Sequence, residues 1–380
     1  MDLFGDLPEP TQTSGRLSAA SASDEEEDRT AKRRREDGGE EVEVKRVCRE
    51  GFQLFHHNVC LPFSHQSSLG TDACGGGCTH AVCAAGLPEL KAYVAARRGE
   101  REEMQDAHVL LPDMMGFLPS RPEHVSRLSY FAVFDGHGGA RASRFAAEHL
   151  HHNLAKKFPP TGDAEHLDKL IRKCLLDTFR QTDEDFLKKA SSQKPSWKDG
   201  STATCVLVVD DVLYVANLGD SRAVMCRTEA AAADGPQKLL TLALSKEHNP
   251  TIYEERMRIQ RAGGTVRDGR VLGVLEVSRS IGDGQYKRCG IISTPDLRRC
   301  QLTANDRFIL LACDGLFKVF SADEAVRFVQ NVLQEGSIEK KAGLTEEELR
   351  FEAACQQLAS EAVKRGCADN VTVILVSIGC

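Results

Sequence analysis

The stretch from Ser129 to Gly139, SYFAVFDGHGG, constrains the fold of this 380-residue chain more than any other. Five consecutive apolar residues, 130–134, include aromatic and β-branched side chains and predict a short strand that is covered on both faces. The strand stops at Asp135, and glycines at three of the next four positions allow a tight turn and close approach of a ligand to the backbone. Taken alone, an Asp-Gly pair is also an ordinary turn.

Two later segments repeat the pattern of an apolar run beside an aspartate. Residues 307–319, RFILLACDGLFKV, contain an apolar run that ends at Asp314, and Asp369 stands just before the last apolar run of the chain. Carboxylates directed to one place repel each other unless a cation compensates them. Because no cluster of cysteine and histidine accompanies them, these hard oxygen ligands indicate Mg²⁺ or Mn²⁺ rather than zinc.

Six motifs in a fixed order carry a resemblance to a known family. They are FAVFDGHGG, DGSTATC, GDSRA, SRSIGD, LLACDG and ADNVTV, within a segment that runs from Leu90 to the C-terminus. In this order they resemble the metal-dependent serine/threonine protein phosphatases of type 2C. The resemblance implies hydrolysis of phosphoserine and phosphothreonine in proteins with two ions, Mg²⁺ or Mn²⁺, per subunit. It implies direct attack on phosphorus by a hydroxide that bridges the ions, without a phosphoenzyme.

The resemblance also assigns the metal ligands residue by residue. Asp135 is implied to bridge the two ions, with Asp314 and Asp369 on one of them. The backbone oxygen of Gly136 is implied to bind the other ion. Asp220 lies at a predicted strand turn and is implied as a candidate for a third, weaker metal site.

Three further residues are implied to act on the substrate or on water. Arg101 is implied to hold the substrate phosphate, a task for which its planar guanidinium is suited. Asp106 is implied to contact metal-bound water in the outer shell of the site. His137 is implied as the general acid that protonates the leaving serine or threonine oxygen.

Two positions depart from the family pattern. Gln105 stands where many relatives have glutamate, and Lys318 stands where an acidic residue often supports the third metal site. We therefore expect a third ion to bind poorly or to be absent. These departures support an alternative function, a catalytically weak docking protein that keeps the phosphatase fold. The presence of Asp135, Asp314 and Asp369 argues against that alternative.

A cysteine-dependent tyrosine phosphatase is a rival class of enzyme. Cys313 precedes Asp314, but the phosphate loop of that class needs an arginine six residues after the cysteine, and position 319 is Val319. This rival is therefore not favoured.

Periodicity and turn residues predict the architecture. Helical spacing covers residues 140–158 and 167–186, and short turns join three predicted strands, 202–209, 213–217 and 222–226, which we expect to form an antiparallel meander. Helices interleaved with antiparallel strands predict an α+β fold. Its expected form is two antiparallel β-sheets packed face to face with helices on the outer faces, an α-β-β-α sandwich.

Capping residues predict where three further helices begin. Asn249-Pro250 is expected to cap a helix that continues to Arg261. Two capping-box spacings predict the starts of two late helices: Ser321 with Glu324, and Thr345 with Glu348.

Charge and composition divide the chain into two parts, 1–86 and 87–380. The first part holds 15 acidic and 9 basic residues of a chain whose formal net charge is −7, and it lacks periodicity, so we predict a mostly disordered tail before the catalytic domain. The domain is then nearly neutral and gives no argument for nucleic acid. No apolar stretch is long enough to span a membrane, and no signal peptide is evident. We expect a monomer whose 14 cysteines are free thiols.

The predicted tail carries two features with possible partners. The basic run Lys32–Arg35 is expected to bind an import receptor, which predicts a cytoplasmic and nuclear protein, although a solvated charge run is the plainer alternative. The interleaved cysteines and histidines of the segment Cys60–Cys83 lack the spacing of a zinc site and are read as an insertion.

The segments MDLFGDLPEP and SSQKPSWKDGSTATC resemble those family members that associate with integrin-linked kinase. This resemblance implies that kinase as a partner, alongside phosphoprotein substrates, and a role in its signalling pathway.

Overall fold

The computed structural model describes residues 86–123, 125–160, 164–229, 238–334 and 343–379. The strands in these ranges are β1 Glu89–Arg97, β2 Ala107–Leu111, β3 Leu128–Phe134, β4 Gly136–His137, β5 Gly200–Ser201, β6 Ala203–Val209, β7 Val212–Leu218, β8 Arg222–Glu229, β9 Lys238–Ala243, β10 Val266–Arg267, β11 Arg270–Val271, β12 Ile281–Gly282, β13 Asp296–Gln301, β14 Asp306–Ala312 and β15 Val371–Gly379. The α-helices are α1 Arg141–Lys157, α2 Ala164–Ser191, α3 Tyr253–Arg261, α4 Gly284–Lys287, α5 Asp314–Phe317, α6 Ala322–Gln334 and α7 Glu346–Lys364.

Two five-stranded antiparallel sheets form the centre of the described chain. One has the strand order β1-β15-β14-β8-β9 and the other β13-β7-β6-β3-β2. Alternate side chains of β3 face in opposite directions, as the pleat of a strand requires. Phe131 and Val133 pack between the sheets against Ile309 and Ile374, whereas Tyr130 belongs to the core on the other face. The prediction that this strand is covered on both faces is confirmed.

Helices cover the outer face of each sheet. Helices α1 and α2 pack on the sheet that contains β3, with Phe145, Leu154 and Phe179 in that core. Helices α6 and α7 pack on the other sheet, with Val329 and Leu358 in theirs. The predicted α-β-β-α sandwich is therefore confirmed. Among the described residues, no helix is both long enough and apolar enough to cross a membrane.

A small third sheet lies beside the sandwich and carries part of the site. Its order is β12-β5-β4, and it pairs Gly136 with Ser201 and Gly200 with Gly282. Because β4 follows β3 after one residue, this sheet fixes the direction in which the chain leaves Asp135. A separate hairpin, β10-β11, turns at Asp268-Gly269.

The predicted antiparallel meander is wrong. Strands β6 and β7 pair as a hairpin, but β8 pairs with β14 and β9 in the opposite sheet. The connection at residues 219–221 crosses between the sheets, and Gly219 takes the positive φ of 102° that this crossing uses. A short loop therefore joins two layers here instead of two neighbouring strands.

The predicted helix caps are partly confirmed. Thr345 and Glu348 form a complete capping box at the start of α7, and Ser321 bonds with Glu324 in the same way before α6. Helix α3 begins later than predicted, because Asn249 Oδ1 accepts hydrogen bonds from Thr251 instead of capping the helix.

Several sequence predictions fall on residues 1–85, outside the described ranges. They concern the predicted disorder of the tail, the basic run Lys32–Arg35 and the Cys60–Cys83 segment. The eight cysteines in the described ranges are free.

Candidate active site

Four loops bring acidic residues to one end of the sandwich. Asp135 follows β3, Asp314 opens α5 after β14, Asp369 precedes β15, and Asp220 lies between β7 and β8. Since β14 and β15 are neighbours in one sheet while β3 and β7 belong to the other, the loops meet where the two sheets end together. All four residues line a cavity of about 500 Å³.

Three of these carboxylates form a tight cluster. One oxygen from each of Asp135, Asp220 and Asp314 lies within 4.8 Å of the others. Asp135 also lies within 4.8 Å of a carboxylate oxygen of Asp106 and the sulfur of Cys313. Burial, reinforced by repulsion from Asp106, Asp314 and Asp220, raises the pKa of Asp135 well above its usual value. Such a cluster is costly unless protons or a cation offset its negative charge.

The cluster fits a divalent cation with oxygen ligands. In the described part of the chain, no basic side chain lies within salt-bridge distance of Asp135 or Asp220, and Asp106 Oδ1 is a buried atom without a hydrogen-bond partner. Burial raises the pKa of Asp106 to about 6 and that of Asp220 to about 7, with repulsion from Asp314 adding to both shifts. Unmatched carboxylate oxygens are the donors that Mg²⁺ and Mn²⁺ prefer.

Asp369 is held differently from the other acidic residues. Its Oδ2 accepts hydrogen bonds from Lys318 Nζ at 2.7 Å and from Arg101 Nη2 at 2.9 Å. The same lysine nitrogen lies 2.7 Å from Asp314 Oδ2. Burial would raise the pKa of Asp369, but the ammonium of Lys318 outweighs it and the pKa is lowered. An ammonium group therefore lies between the two carboxylates predicted to share an ion.

Lys318, the departure from the family pattern expected to weaken a third metal site, pairs with Asp314 and Asp369. It follows Asp314 by one helical turn, so its flexible side chain folds back onto Asp314 and Asp369. Asp220, in contrast, is brought directly to Asp135 and Asp314.

The loop that carries Arg101 is tied to β15 through Asn370. Asn370 Oδ1 accepts from the backbone nitrogen of Gln105 at 2.8 Å, and its Nδ2 donates to the carbonyl oxygens of Arg98 and Glu103. This anchor places Arg101 at the cavity, where its side chain is 59% exposed. The Arg101 guanidinium is therefore paired with Asp369 across the loop rather than with a neighbouring glutamate.

His137 belongs to a hydrogen-bonded group on the small third sheet. Its Nε2 donates to Asp283 Oδ2 at 2.6 Å, and Ser280 Oγ donates to the same oxygen at 2.6 Å. Burial would lower the pKa of His137, but the carboxylate of Asp283, with Asp220 and Asp199, outweighs it and the pKa is raised. A side chain at Gly200 would collide with both His137 and Asp283, so only glycine permits this pairing.

The turn at Asp135 is fixed by buried hydroxyl groups. The backbone nitrogen of Asp135 donates to Thr202 Oγ1 at 3.0 Å, and this oxygen is 2.8 Å from Ser221 Oγ. Since Ser221 follows Asp220 in the chain, the two hydroxyl groups link the loops that carry Asp135 and Asp220. Gly136 lines the cavity just after the turn.

Cys313 is not a candidate nucleophile. It is fully buried, its sulfur accepts a hydrogen bond from the backbone nitrogen of Thr372, and burial raises the pKa of its thiol well above the usual value. The structure thus gives no support to the cysteine-dependent rival.

Sequence reasoning gave no individual role to several residues that position the site: Asp283, Ser280, Thr202, Ser221 and Asn370. Each lies in one of the motifs noted above, so the motifs indicated the segments that form the site. Which of their side chains hydrogen-bond to one another is seen only in the structure.

Comparison with known proteins agrees with this geometry. The sequence profile of the family described as Protein phosphatase 2C matches residues 90–371. Two relatives are named integrin-linked kinase-associated serine/threonine phosphatase 2C. The Bos taurus protein is 56% identical over 383 residues that cover 100% of both chains. The Homo sapiens protein is 65% identical over 290 residues, 76% of this chain and 73% of that protein.

Solved structures support the fold. The crystal structure of serine-threonine phosphatase 2C from Toxoplasma gondii has a TM-score of 0.58 at 23% identity and covers 77% of this chain and 97% of that chain. The profile match includes all three residues of the acidic cluster. From this match and the two relatives, we conclude that this chain belongs to the protein phosphatase 2C family.

Proposed function

We propose that this protein hydrolyses phosphoserine and phosphothreonine in proteins, with two divalent ions, Mg²⁺ or Mn²⁺, held by Asp135, Gly136, Asp314 and Asp369. The observation that carries the proposal is the cluster of Asp135, Asp220 and Asp314 oxygens within 4.8 Å, inside a cavity that also contains Arg101 and His137. The named relatives support the choice of substrate, since their names describe serine/threonine phosphatases.

When bound, the divalent ions supply positive charge to the phosphoryl oxygens and make water a better nucleophile. Asp135 is the central acidic residue of the site. Its backbone nitrogen is fixed by Thr202, and its carboxylate lies within 4.8 Å both of Asp106 and of the pair Asp220 and Asp314. Arg101 lies on an anchored loop with an exposed guanidinium, which can turn from Asp369 to two phosphoryl oxygens.

The proton for the leaving group comes from His137. Because Nε2 donates to Asp283, the other ring nitrogen, Nδ1, is the one free to protonate the departing serine or threonine oxygen. The raised pKa of His137 favours the protonated ring that this step needs. Ser280 holds Asp283 in place and so positions the ring indirectly.

One wall of the cavity presents an exposed apolar side chain. Residues 274–277 and Tyr286 line it, and Val274 is 62% exposed, whereas Leu275 and Val277 are buried in a small apolar core beneath it. We expect side chains beside the phosphorylated residue of the substrate to pack on this wall. A protein substrate, with a chain on both sides of the phosphate, uses such a wall better than a small phosphate ester does.

The alternative of a catalytically weak docking protein is not favoured, because Asp135, Asp220 and Asp314 remain together. Gln105 contributes its backbone nitrogen to the loop anchor, and Lys318 pairs with two carboxylates without displacing Asp135 or Asp220 from the cluster.

A role in kinase signalling is part of the proposal. Two relatives bear names that associate them with integrin-linked kinase, and their similarity to this chain motivates the same partner here. Binding of purified full-length protein to purified integrin-linked kinase, measured by biolayer interferometry, tests this part. The absence of binding at micromolar concentrations would reject it.

Release of phosphate from a phosphothreonine peptide, with and without added Mn²⁺, tests the catalytic proposal. We expect turnover that requires Mn²⁺ or Mg²⁺ and stops in chelator. Asp314→Asn should lower the rate at least about 100-fold while leaving the fold intact. Asp211→Asn is the matched control, because Asp211 is exposed in the β6–β7 turn, away from the cavity. Turnover in chelator, or full activity of Asp314→Asn, would contradict the proposal.

A further inference from the structure

The side chain of Lys318 connects two acidic residues of the site. Its Nζ is 2.7 Å from Asp314 Oδ2 and 2.7 Å from Asp369 Oδ2. The backbone nitrogen of Lys318 also donates to the carbonyl oxygen of Asp314, so the end of α5 directs this side chain back to the start of the helix. One ammonium group thus bridges the carboxylate that follows β14 and the carboxylate that precedes β15, two neighbouring strands.

The negative charges of the four aspartates that line the cavity are compensated unevenly. Asp369 contacts two cationic groups, Lys318 and Arg101, and Asp314 contacts one. Within the described ranges, Asp135 and Asp220 contact none. Two of these four aspartates, Asp314 and Asp369, are therefore neutralised by the protein itself, and the other two depend on protons or an added cation.

An ammonium and a divalent ion cannot use the same oxygens at once. A lysine nitrogen lies about 2.7–2.9 Å from a carboxylate oxygen, whereas Mg²⁺ binds oxygen at about 2.0–2.1 Å and requires its own coordination sphere. Two cationic centres between the same pair of carboxylates would also repel each other strongly. Binding of an ion through these two Oδ2 atoms therefore requires the ammonium to leave.

We propose that Lys318 is an internal cation that competes with a divalent ion for Asp314 and Asp369 and so lowers the metal affinity of that half of the site. This inference rests on the metal role proposed above. The side chain of Lys318 is 44% exposed, so it can turn towards solvent without disturbing the core. Lys318 would then hold the acidic loops together without metal and would yield to metal at sufficient concentration.

A merely structural salt bridge predicts a different pattern. If Lys318 only stabilised the fold, its removal would weaken the protein equally with and without metal. Competition predicts opposite effects: without metal, removal leaves Asp314 and Asp369 repelling each other, and with metal it removes a competitor.

Lys318→Met, Lys318→Arg and the control Lys156→Met distinguish these possibilities in the full-length protein. Lys156 is an exposed lysine near the end of α1, so its replacement makes the same change in charge and side-chain type away from the cavity. The probe is Mn²⁺ alone, measured by isothermal titration calorimetry and by thermal unfolding. Circular dichroism verifies that each variant is folded.

For Lys318→Met we expect Mn²⁺ to bind the weaker of its sites at least about tenfold more tightly than in the unmodified protein. Its melting temperature should fall by about 2–4 °C without metal and rise more steeply with Mn²⁺. Lys318→Arg, which keeps the cation, should stay within about threefold of the unmodified affinity, and Lys156→Met should not differ.

Equal or weaker Mn²⁺ binding by Lys318→Met would overturn the competition and leave the proposed metal role intact. An equal loss of melting temperature with and without Mn²⁺ would likewise show Lys318 to be a structural salt bridge only. If none of the proteins bound Mn²⁺, the proposed metal role would fail as well.

Discussion

At His137, the chemistry depends on which ring nitrogen is available. Asp283 Oδ2 accepts a hydrogen bond from Nε2 at 2.6 Å, and Gly200 leaves room for this close pairing. The histidine is thereby oriented by a residue 146 positions away in the sequence. No local pattern predicts such a partner, which explains why His137 was identified as a candidate acid while Asp283 was missed.

Replacement of His137 should affect substrates according to their leaving groups. We expect His137→Ala to slow hydrolysis of a phosphothreonine peptide about 100-fold or more, because its alkoxide must be protonated as it leaves. Hydrolysis of p-nitrophenyl phosphate, whose leaving group needs little protonation, should fall less than about tenfold. Steady-state rates on both substrates measure this difference.

Asp283→Asn provides the matched comparison for that prediction. An amide still hydrogen-bonds to His137 but no longer favours the charged ring. We therefore expect the peptide to be affected more than p-nitrophenyl phosphate, as in His137→Ala, but with a smaller loss of rate. Equal losses on both substrates in the two variants would contradict the role of His137 as acid.

At the scale of elements, helix α3 is joined to the segment that leads to β12 by a buried acidic residue. Glu255 Oε1 accepts from Arg279 Nη2 at 2.6 Å, and its Oε2 accepts from Arg258 Nη2 at 2.8 Å and Ser278 Oγ at 2.6 Å. The segment continues to Asp283, so this network also supports the partner of His137. Capping residues predicted the helix but not the network, because Ser278 and Arg279 lie outside the helix that carries Glu255 and Arg258.

The network predicts a pH-dependent stability. Burial would raise the pKa of Glu255, but hydrogen bonds from Arg279, Arg258 and Ser278 outweigh it and lower the pKa to about 2 from 4.5. A carboxylate with a lowered pKa stabilises the fold above its unfolded-state pKa, and this stabilisation is lost as the pH falls from about 4.5 towards 2. We expect Glu255→Gln to cost about 3 kcal/mol of unfolding free energy at pH 7.

Urea unfolding at several pH values measures this effect. The difference between Glu255→Gln and the unmodified protein should shrink as the pH falls below about 4.5. Glu254→Gln is the control, since Glu254 is the exposed neighbour on the same helix. A difference that did not change with pH would show that the charge of Glu255 contributes nothing.

The sequence predicted the layers of the sandwich better than the connections between its strands. Apolar runs identified β3, β14 and β15, because strands buried on both faces are apolar throughout. The crossing at residues 219–221 did not follow, since a two-residue hairpin and a crossing between sheets use equally short loops. The difference depends on backbone direction after Gly219, which tertiary packing decides.

On the scale of the whole molecule, the basic run Lys32–Arg35 carries a proposal about location. We propose that an import receptor binds this run and that the protein divides between cytoplasm and nucleus. Replacing all four residues with alanine should shift a fluorescently tagged protein to the cytoplasm. The shorter basic pair Lys188-Lys189 in helix α2, replaced in the same way, gives a control. An unchanged nuclear fraction would reject the import signal.

The convergence of acidic residues from both sheets is also a property of the whole molecule. The sequence predicted it for Asp135, Asp314 and Asp369. The structure brings Asp220 within 4.8 Å of Asp135 and Asp314, while Asp369 is connected to Asp314 through Lys318. Sequence indicated which strands end in aspartate. It did not indicate which side chains turn towards each other, because rotamers depend on the neighbouring charges.

Mn²⁺ binding and phosphate release, measured together on the same preparation of Asp135→Asn, test the role of this cluster most directly. Asp135 lies in both acidic groups, so we expect the variant to lose Mn²⁺ binding by at least about 100-fold and to lose turnover of a phosphothreonine peptide in parallel, while its circular dichroism spectrum is unchanged. Mn²⁺ affinity equal to that of the unmodified protein, or turnover that persists in the variant, would contradict a catalytic metal site at Asp135.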